Sequence, residues 1–197
     1  FSEPIEVARG SVVSDADGTR QATLLFPAQS KARMALRAGT AKTMTQLTVR
    51  ATEYTIGANG PLAMPAELPA GVGYTYCVEF TADEAVKARA KSLQFSPPVI
   101  HYVENFLHFP VGGAVPAGYY DRDLGQWAPS DNGRVVGIVG EAEGLAEIDL
   151  DGDGSADGGA ALDALGITDA ERGKLAELYD PGQSLWRVPI PHFSPWD

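Results

Sequence analysis

The sequence has one cysteine, three histidines, three methionines and few cations among its 197 residues, and each shortage excludes something. A single cysteine, Cys77, rules out an internal disulfide. It lies in Tyr74-Thr-Tyr-Cys-Val-Glu-Phe80, whose alternation places Tyr74, Tyr76, Val78 and Phe80 on one strand face, so it reads as a small strand residue rather than a reactive thiol. Fifteen Lys and Arg against 26 Asp and Glu leave a formal charge of −11, which argues against nucleic acid and anionic membrane surfaces as partners. No apolar run approaches the length needed to span a bilayer, and none reads as a signal peptide. Nucleophile-elbow, P-loop and dinucleotide fingerprints are missing, and no carboxylate pair stands out for glycoside hydrolysis. His101 and His108 lack the His-Glu-x-x-His spacing and would face opposite sides of a strand, so they do not form a zinc site.

What is present describes a globular, mainly β chain. Hydrophobic residues make up 44% and charged residues 21%, enough to bury one core. Gly10-Ser-Val-Val leads into an Asp-Gly turn, and Gln21-Ala-Thr-Leu-Leu-Phe26 returns as a strand that stops at Pro27. Residues 28–36 read as a connection with room for a brief helix, and 44–54 as one Thr-rich strand. The Gly- and Pro-rich stretch 57–73 is expected to be a loop and 74–80 a strand. Thr81-Ala-Asp-Glu84 is expected to open a short helix as a capping box. Strands are then expected at 92–95 and 99–109, a hairpin at 119–127 and a strand at 135–139. Short strands punctuated by Gly and Pro predict a β-sandwich, with 145–182 as a loop-and-helix insertion and 184–197 as a final strand. Thr168-Asp-Ala-Glu171 is a second capping box for a helix ended by Pro181-Gly182. Trp127, Trp186 and Trp196, with Tyr119 and Tyr120, are expected to serve core and interface packing rather than a sugar platform.

Much of the negative charge is concentrated in Asp149-Leu-Asp151-Gly-Asp153-Gly154-Ser155-Ala-Asp157. Asp149, Asp151 and Asp153 take positions 1, 3 and 5 of an EF-hand-like loop, and Gly154 takes position 6, where a sharp turn is needed. Ser155 would offer its backbone carbonyl, and Asp157 would act directly or through water. Position 12 is Ala160 rather than Glu, so no bidentate closing ligand is present; Asp163 and Glu147 are both candidates to complete the shell. Four carboxylates in nine residues repel one another unless a cation intervenes, and calcium is the expected one. The loop resembles those of dockerins and thrombospondin-type repeats, which implies a structural calcium drawn from an extracellular pool.

Near the end stands His192-Phe193-Ser194. A Ser hydroxyl with a base beside it can attack the preceding carbonyl and replace the peptide bond with an ester that water cleaves. His192 would be the base, Phe193 the buried anchor and Ser194 the nucleophile. The tripeptide resembles the cleavage site of autoproteolytic ZU5 domains and of nucleoporin-type self-cleaving domains. Residues 10–27, with their Leu-Leu-Phe-Pro ending, and Gln94-Phe-Ser-Pro-Pro-Val-Ile are similar to ZU5 strands. From Thr52-Glu-Tyr-Thr through Tyr102-Val-Glu-Asn-Phe-Leu to Pro189-Ile-Pro-His-Phe-Ser-Pro-Trp-Asp197, the chain resembles a domain found upstream of the YD repeats in large bacterial RHS proteins, exported shells related in architecture to toxin cocoons and teneurins. Pro195 departs from the aromatic residue that usually follows the Ser in ZU5 sites.

The resemblance implies an exported, extracellular or cell-surface module whose partner is the rest of its own polypeptide, the YD-repeat shell. The missing initiator Met fits an excised or processed piece. The expected cofactor is calcium, held by Asp149, Asp151, Asp153, Ser155 and Asp157. The expected chemistry, if any, is one cut at Phe193–Ser194. The alternative is a calcium-dependent adhesive or carbohydrate-binding module with no chemistry.

Overall fold

Strands apolar on both faces organise the molecule, and they make one sheet the middle layer of three. The computed structural model describes residues 5–57, 59–68 and 75–197. Among these, a nine-stranded sheet runs β1 (Ile5–Arg9), β4 (Thr23–Pro27), β9 (Ser92–Glu104), β15 (Ser184–His192), β13 (Gly133–Ala142) and β10 (Ala114–Val115). β14 (Leu145–Asp149) lies beside β13, while β5 (Lys31–Ala35) pairs with the first half of β9 and with β6 (Ala41–Met44). A five-stranded sheet runs β12 (Gln126–Pro129), β11 (Gly118–Asp121), β16 (Pro195–Trp196), β8 (Val78–Ala82) and β7 (Val49–Glu53). β2 (Val13–Asp15) and β3 (Gly18–Arg20) form a separate hairpin. The helices are α1 (Asp83–Lys87), α2 (Gly159–Ala164) and α3 (Asp169–Leu178). The mainly β, sandwich-like class expected from the sequence is therefore the one observed.

Period-two alternation sorts the apolar residues of the larger sheet into two cores. Leu24, Val99, Val103, Trp186 and Ile190 face the smaller sheet and meet Tyr76, Val78, Phe80 and Trp196. Leu25, Ile100, Tyr102, Val136 and Leu185 face the other way and meet Leu162, Ile167 and Leu175 around the helices. The segment 145–182 thus supplies a third layer: β14 extends the larger sheet, and α2 and α3 cover its outer face. α3 is anchored by its sequence in two ways. Thr168 caps it by accepting from the Glu171 N–H at 3.2 Å, and the Glu171 carboxylate turns inward to Arg187 and the Tyr102 hydroxyl, which donates at 2.7 Å.

Several local expectations are corrected. Residues 31–35 are a strand, because Ala32 and Met34 alternate into the core and both edges find partners. The stretch 44–54 splits: β6 ends at Met44 in the larger sheet, and β7 starts at Val49 in the smaller, so one Thr-rich pattern spans a change of sheet. β9 runs unbroken through Pro97-Pro98. The box at Thr81 does not form; Thr81 lies in β8, α1 begins after Ala82 with no side-chain cap, and Glu84 accepts from Thr48 instead. Within the predicted loop, Pro61–Ala63 forms a 3-10 turn, while residues 58 and 69–74 lie outside the described ones.

His101 is buried on β9 between Tyr76, stacked at 5.8 Å, and Phe80, edge-on at 4.9 Å, and its Nε2 has no partner. It borders a cavity of about 40 Å3. Burial lowers its pKa to about 3 from an ordinary 6.5. The unfolded chain therefore takes up a proton between pH 6.5 and 3 that the folded chain refuses, so stability falls as pH falls through that window. Asp197, raised to about 6 by burial against a hydrogen bond from Thr75, works in the opposite direction as pH falls from 6 towards 3.8. Replacing His101→Phe, for which the cavity leaves room, removes only the first effect. Denaturant titrations from pH 7 to 4 should show wild type losing up to about 1.4 kcal/mol per pH unit relative to the variant; parallel losses in both would show that His101 is not held neutral.

Candidate functional site

β15 ends in the larger sheet at His192, opposite Gln94, and β16 begins in the smaller sheet at Pro195, opposite Glu79. The two residues between make the crossing. The Phe193 N–H donates to Leu93 O at 3.0 Å in the larger sheet, and Ser194 O accepts from the Phe80 N–H at 3.3 Å in the smaller. The Phe193–Ser194 peptide bond is thus tied at each end to a different sheet. The Phe193 ring is wedged into the core between them, 4.6 Å from Phe95 and 5.9 Å from Phe80. The three residues singled out in the sequence fall together: Ser194 is buried, and its hydroxyl lies 3.3 Å from His192 Nδ1. In the tautomer protonated on Nε2, Nδ1 accepts that proton.

Burial lowers the His192 pKa below its ordinary 6.5; the Phe193 backbone and the negative charge of Asp121 oppose the shift without reversing it. The imidazole is therefore a neutral acceptor at neutral pH. It stands in one wall of a groove of about 570 Å3 that Phe193, Ser194 and Tyr120 also line. Two further residues reach it that sequence reasoning missed. Tyr119 on β11 meets the imidazole edge-to-face at 4.6 Å, and Trp196 lies 5.3 Å from it and donates its Nε1–H to His192 O at 3.2 Å. The short distance from Ser194 to Trp196 was visible in the sequence, whereas nothing local to Tyr119 announced it.

The acidic loop leaves β14 at Asp149 and packs against residues 111–112. One oxygen from each of Asp149, Asp151 and Asp153 lies within 4.8 Å of the others, an arrangement that can hold a metal ion. Asp149 is buried and already organises the turn, since its carboxylate accepts from the N–H groups of Asp151, Gly152 and Gly154 at 2.7–3.1 Å. Burial would raise its pKa; those bonds outweigh the burial, and the net shift is downward. Asp157 turns aside, accepting from the Leu150 N–H at 2.6 Å, and stands outside the group of three. The Ser155 N–H donates to Asp153 Oδ1 at 2.7 Å. The loop is pressed so close to residues 111–112 that a Cβ on Gly112 would lie 2.8 Å from the Asp151 backbone, and one on Gly152 2.7 Å from Val111 O. Both glycines also have positive φ, so neither tolerates a side chain.

Asp149→Ala strands three turn N–H groups and should cost about 1–3 kcal/mol even in chelator, seen as a melting point lower by roughly 3–10 °C. Asp153→Asn keeps its one bond to Ser155 and should leave the chelator melt within about 1–2 °C of wild type. Equal losses in both variants would mean that the turn is not built on Asp149.

Comparison with protein families, with characterised proteins and with solved structures finds no match to this chain.

Proposed function

We propose that this chain is a calcium-stiffened β module of a large exported RHS/YD-repeat protein, and that it cuts its own Phe193–Ser194 bond once. The observation that carries the chemistry is the Ser194 hydroxyl at 3.3 Å from His192 Nδ1, beside a peptide bond tied to two sheets. His192 takes the hydroxyl proton as Ser194 Oγ attacks the Phe193 carbonyl carbon. The tetrahedral adduct expels the Ser194 nitrogen, which takes the proton and becomes an amine, leaving Phe193 esterified to Ser194 Oγ. Water entering from the groove hydrolyses the ester to a Phe193 carboxylate and restores the hydroxyl. The products sum to the parent chain plus one water.

Calcium is the ion that the loop suits. Asp149, Asp151 and Asp153 offer three converging hard oxygens, to which Ser155 would add its carbonyl and Asp157 a contact through water. Its role is to pin the third layer. The parent polypeptide is the partner, and an extracellular or cell-surface setting supplies the ion. A second reading, an adhesive or structural module that never reacts, is favoured by one observation: the four non-glycine residues with positive φ among those described all lie outside 192–197, so the backbone there shows no left-handed strain.

Two measurements test the proposal. A chain carrying a C-terminal fusion after Asp197, incubated with calcium, should show two masses that sum to the whole plus one water, and Ser194→Ala should show one. A single uncut mass in both selects the unreactive module. Separately, saturating calcium at about a hundredfold above its Kd should add about 2.7 kcal/mol of stability; a melt unmoved between chelator and excess calcium would remove calcium from the account.

A further inference from the structure

Resting on the self-cleavage reading, we propose that Tyr119 and Trp196 are positioning residues that clamp His192, fixing the direction of Nδ1 towards Ser194 Oγ and shielding the imidazole from water. Tyr119 comes from β11, and its backbone is registered opposite Trp196 in the smaller sheet. Their rings lie 5.6 Å apart, and both contact the imidazole, with interplanar angles to it of 80° and 36°. Trp196 adds a backbone restraint, since its Nε1–H holds His192 O at 3.2 Å. Backbone, ring plane and ring cover of the base are therefore set by Tyr119 and Trp196 together.

A base held this way has a pH profile that reports on the clamp. Desolvation favours the neutral imidazole, and removing the cover restores water to the charged form. The charged groups of the groove are largely spoken for. Glu79 of β8 is bonded to Arg122 and to the Tyr54 hydroxyl, and Lys91 pairs with Asp123 at 2.8 Å. Arg89 lines the far wall. Asp121, on the same strand as Tyr119, is the charge that acts on His192, and it favours protonation.

Two readouts test this. The first is cleavage rate against pH, whose acid limb falls about tenfold per unit below the pKa of the base. The second is the NMR titration of the His192 imidazole in an uncleavable Ser194→Ala background. Tyr119→Ala should raise the acid limb and the imidazole titration by about half a pH unit or more, towards the ordinary 6.5. Tyr119→Phe should match wild type, and Asp121→Asn, which keeps its turn acceptor, should shift both readouts downwards. Where Tyr119→Ala does not fold, Tyr119→Leu should shift them in the same direction as Tyr119→Ala. An unmoved imidazole titration in the Ala or Leu variant, or a Phe variant as impaired as Ala, overturns the clamp. A wild-type chain that stays whole at every pH while the titration moves as stated overturns the cleavage reading and upholds the clamp.

Discussion

The structure depends on one strand being shared. β15 gives Trp186, Val188 and Ile190 to the core between the sheets and Leu185 to the core beneath the helices, then passes into the smaller sheet within two residues. The Phe193 ring makes that passage possible. Seated against Phe95 of one sheet and Phe80 of the other, it fills the space that the crossing would leave open. Phe193 is half-buried, so it gains part of the roughly 1.5–3 kcal/mol that full burial of such a ring brings, and losing it would leave a gap where both sheets meet. The same wedge holds the following peptide in place, so the demands of folding and of the candidate chemistry fall on the same atoms.

On the opposite face of β15, Arg187 meets Glu171 at 2.8 Å, both nearly excluded from solvent, and Tyr102 from the neighbouring β9 donates to the same carboxylate. Burial alone would depress the Arg187 pKa, yet Tyr102 and Glu171 carry it upwards. Such a pair contributes little net stability compared with apolar packing, but breaking it strands a buried charge at a cost of about 3–5 kcal/mol. Its consequence is therefore register. α3 can lie on the sheet in one position, and the loop that leads to it inherits that position through β14 and Arg134, which donates to Leu150 O at 2.8 Å.

Short-range chemistry was legible in the sequence and long-range placement was not. The His192-Phe193-Ser194 contact, the Asp149-Asp151-Asp153 convergence and the Thr168 cap each need only neighbouring residues and a common backbone geometry, and each is present. The Thr81 box failed because Thr81 was already committed to β8, where pairing with Arg50 outweighs a cap on a five-residue helix. The split at 45–48 was hidden because a strand pattern records which residues alternate, not which sheet receives them. The place of Tyr119 beside His192 was hidden for the same reason: that partner is chosen by the order β11-β16-β8, which no window of sequence contains.

Pro195 bears on how Ser194 is held. Proline after a residue drives that residue away from the helical region, so Pro195 restricts the Ser194 backbone before any tertiary contact forms. Pro195 also brings no N–H of its own into β16, and the strand is secured instead by Phe80 N–H on Ser194 O and by the reciprocal bonds between Gly118 and Asp197. Backbone motion that would carry Ser194 away from His192 must then break a bond to one sheet or lift Phe193 from the other. An aromatic residue in place of Pro195 would provide packing without that local restriction. Trp196, one residue later, pairs in β16, packs its ring against the His192 imidazole and donates to the His192 carbonyl.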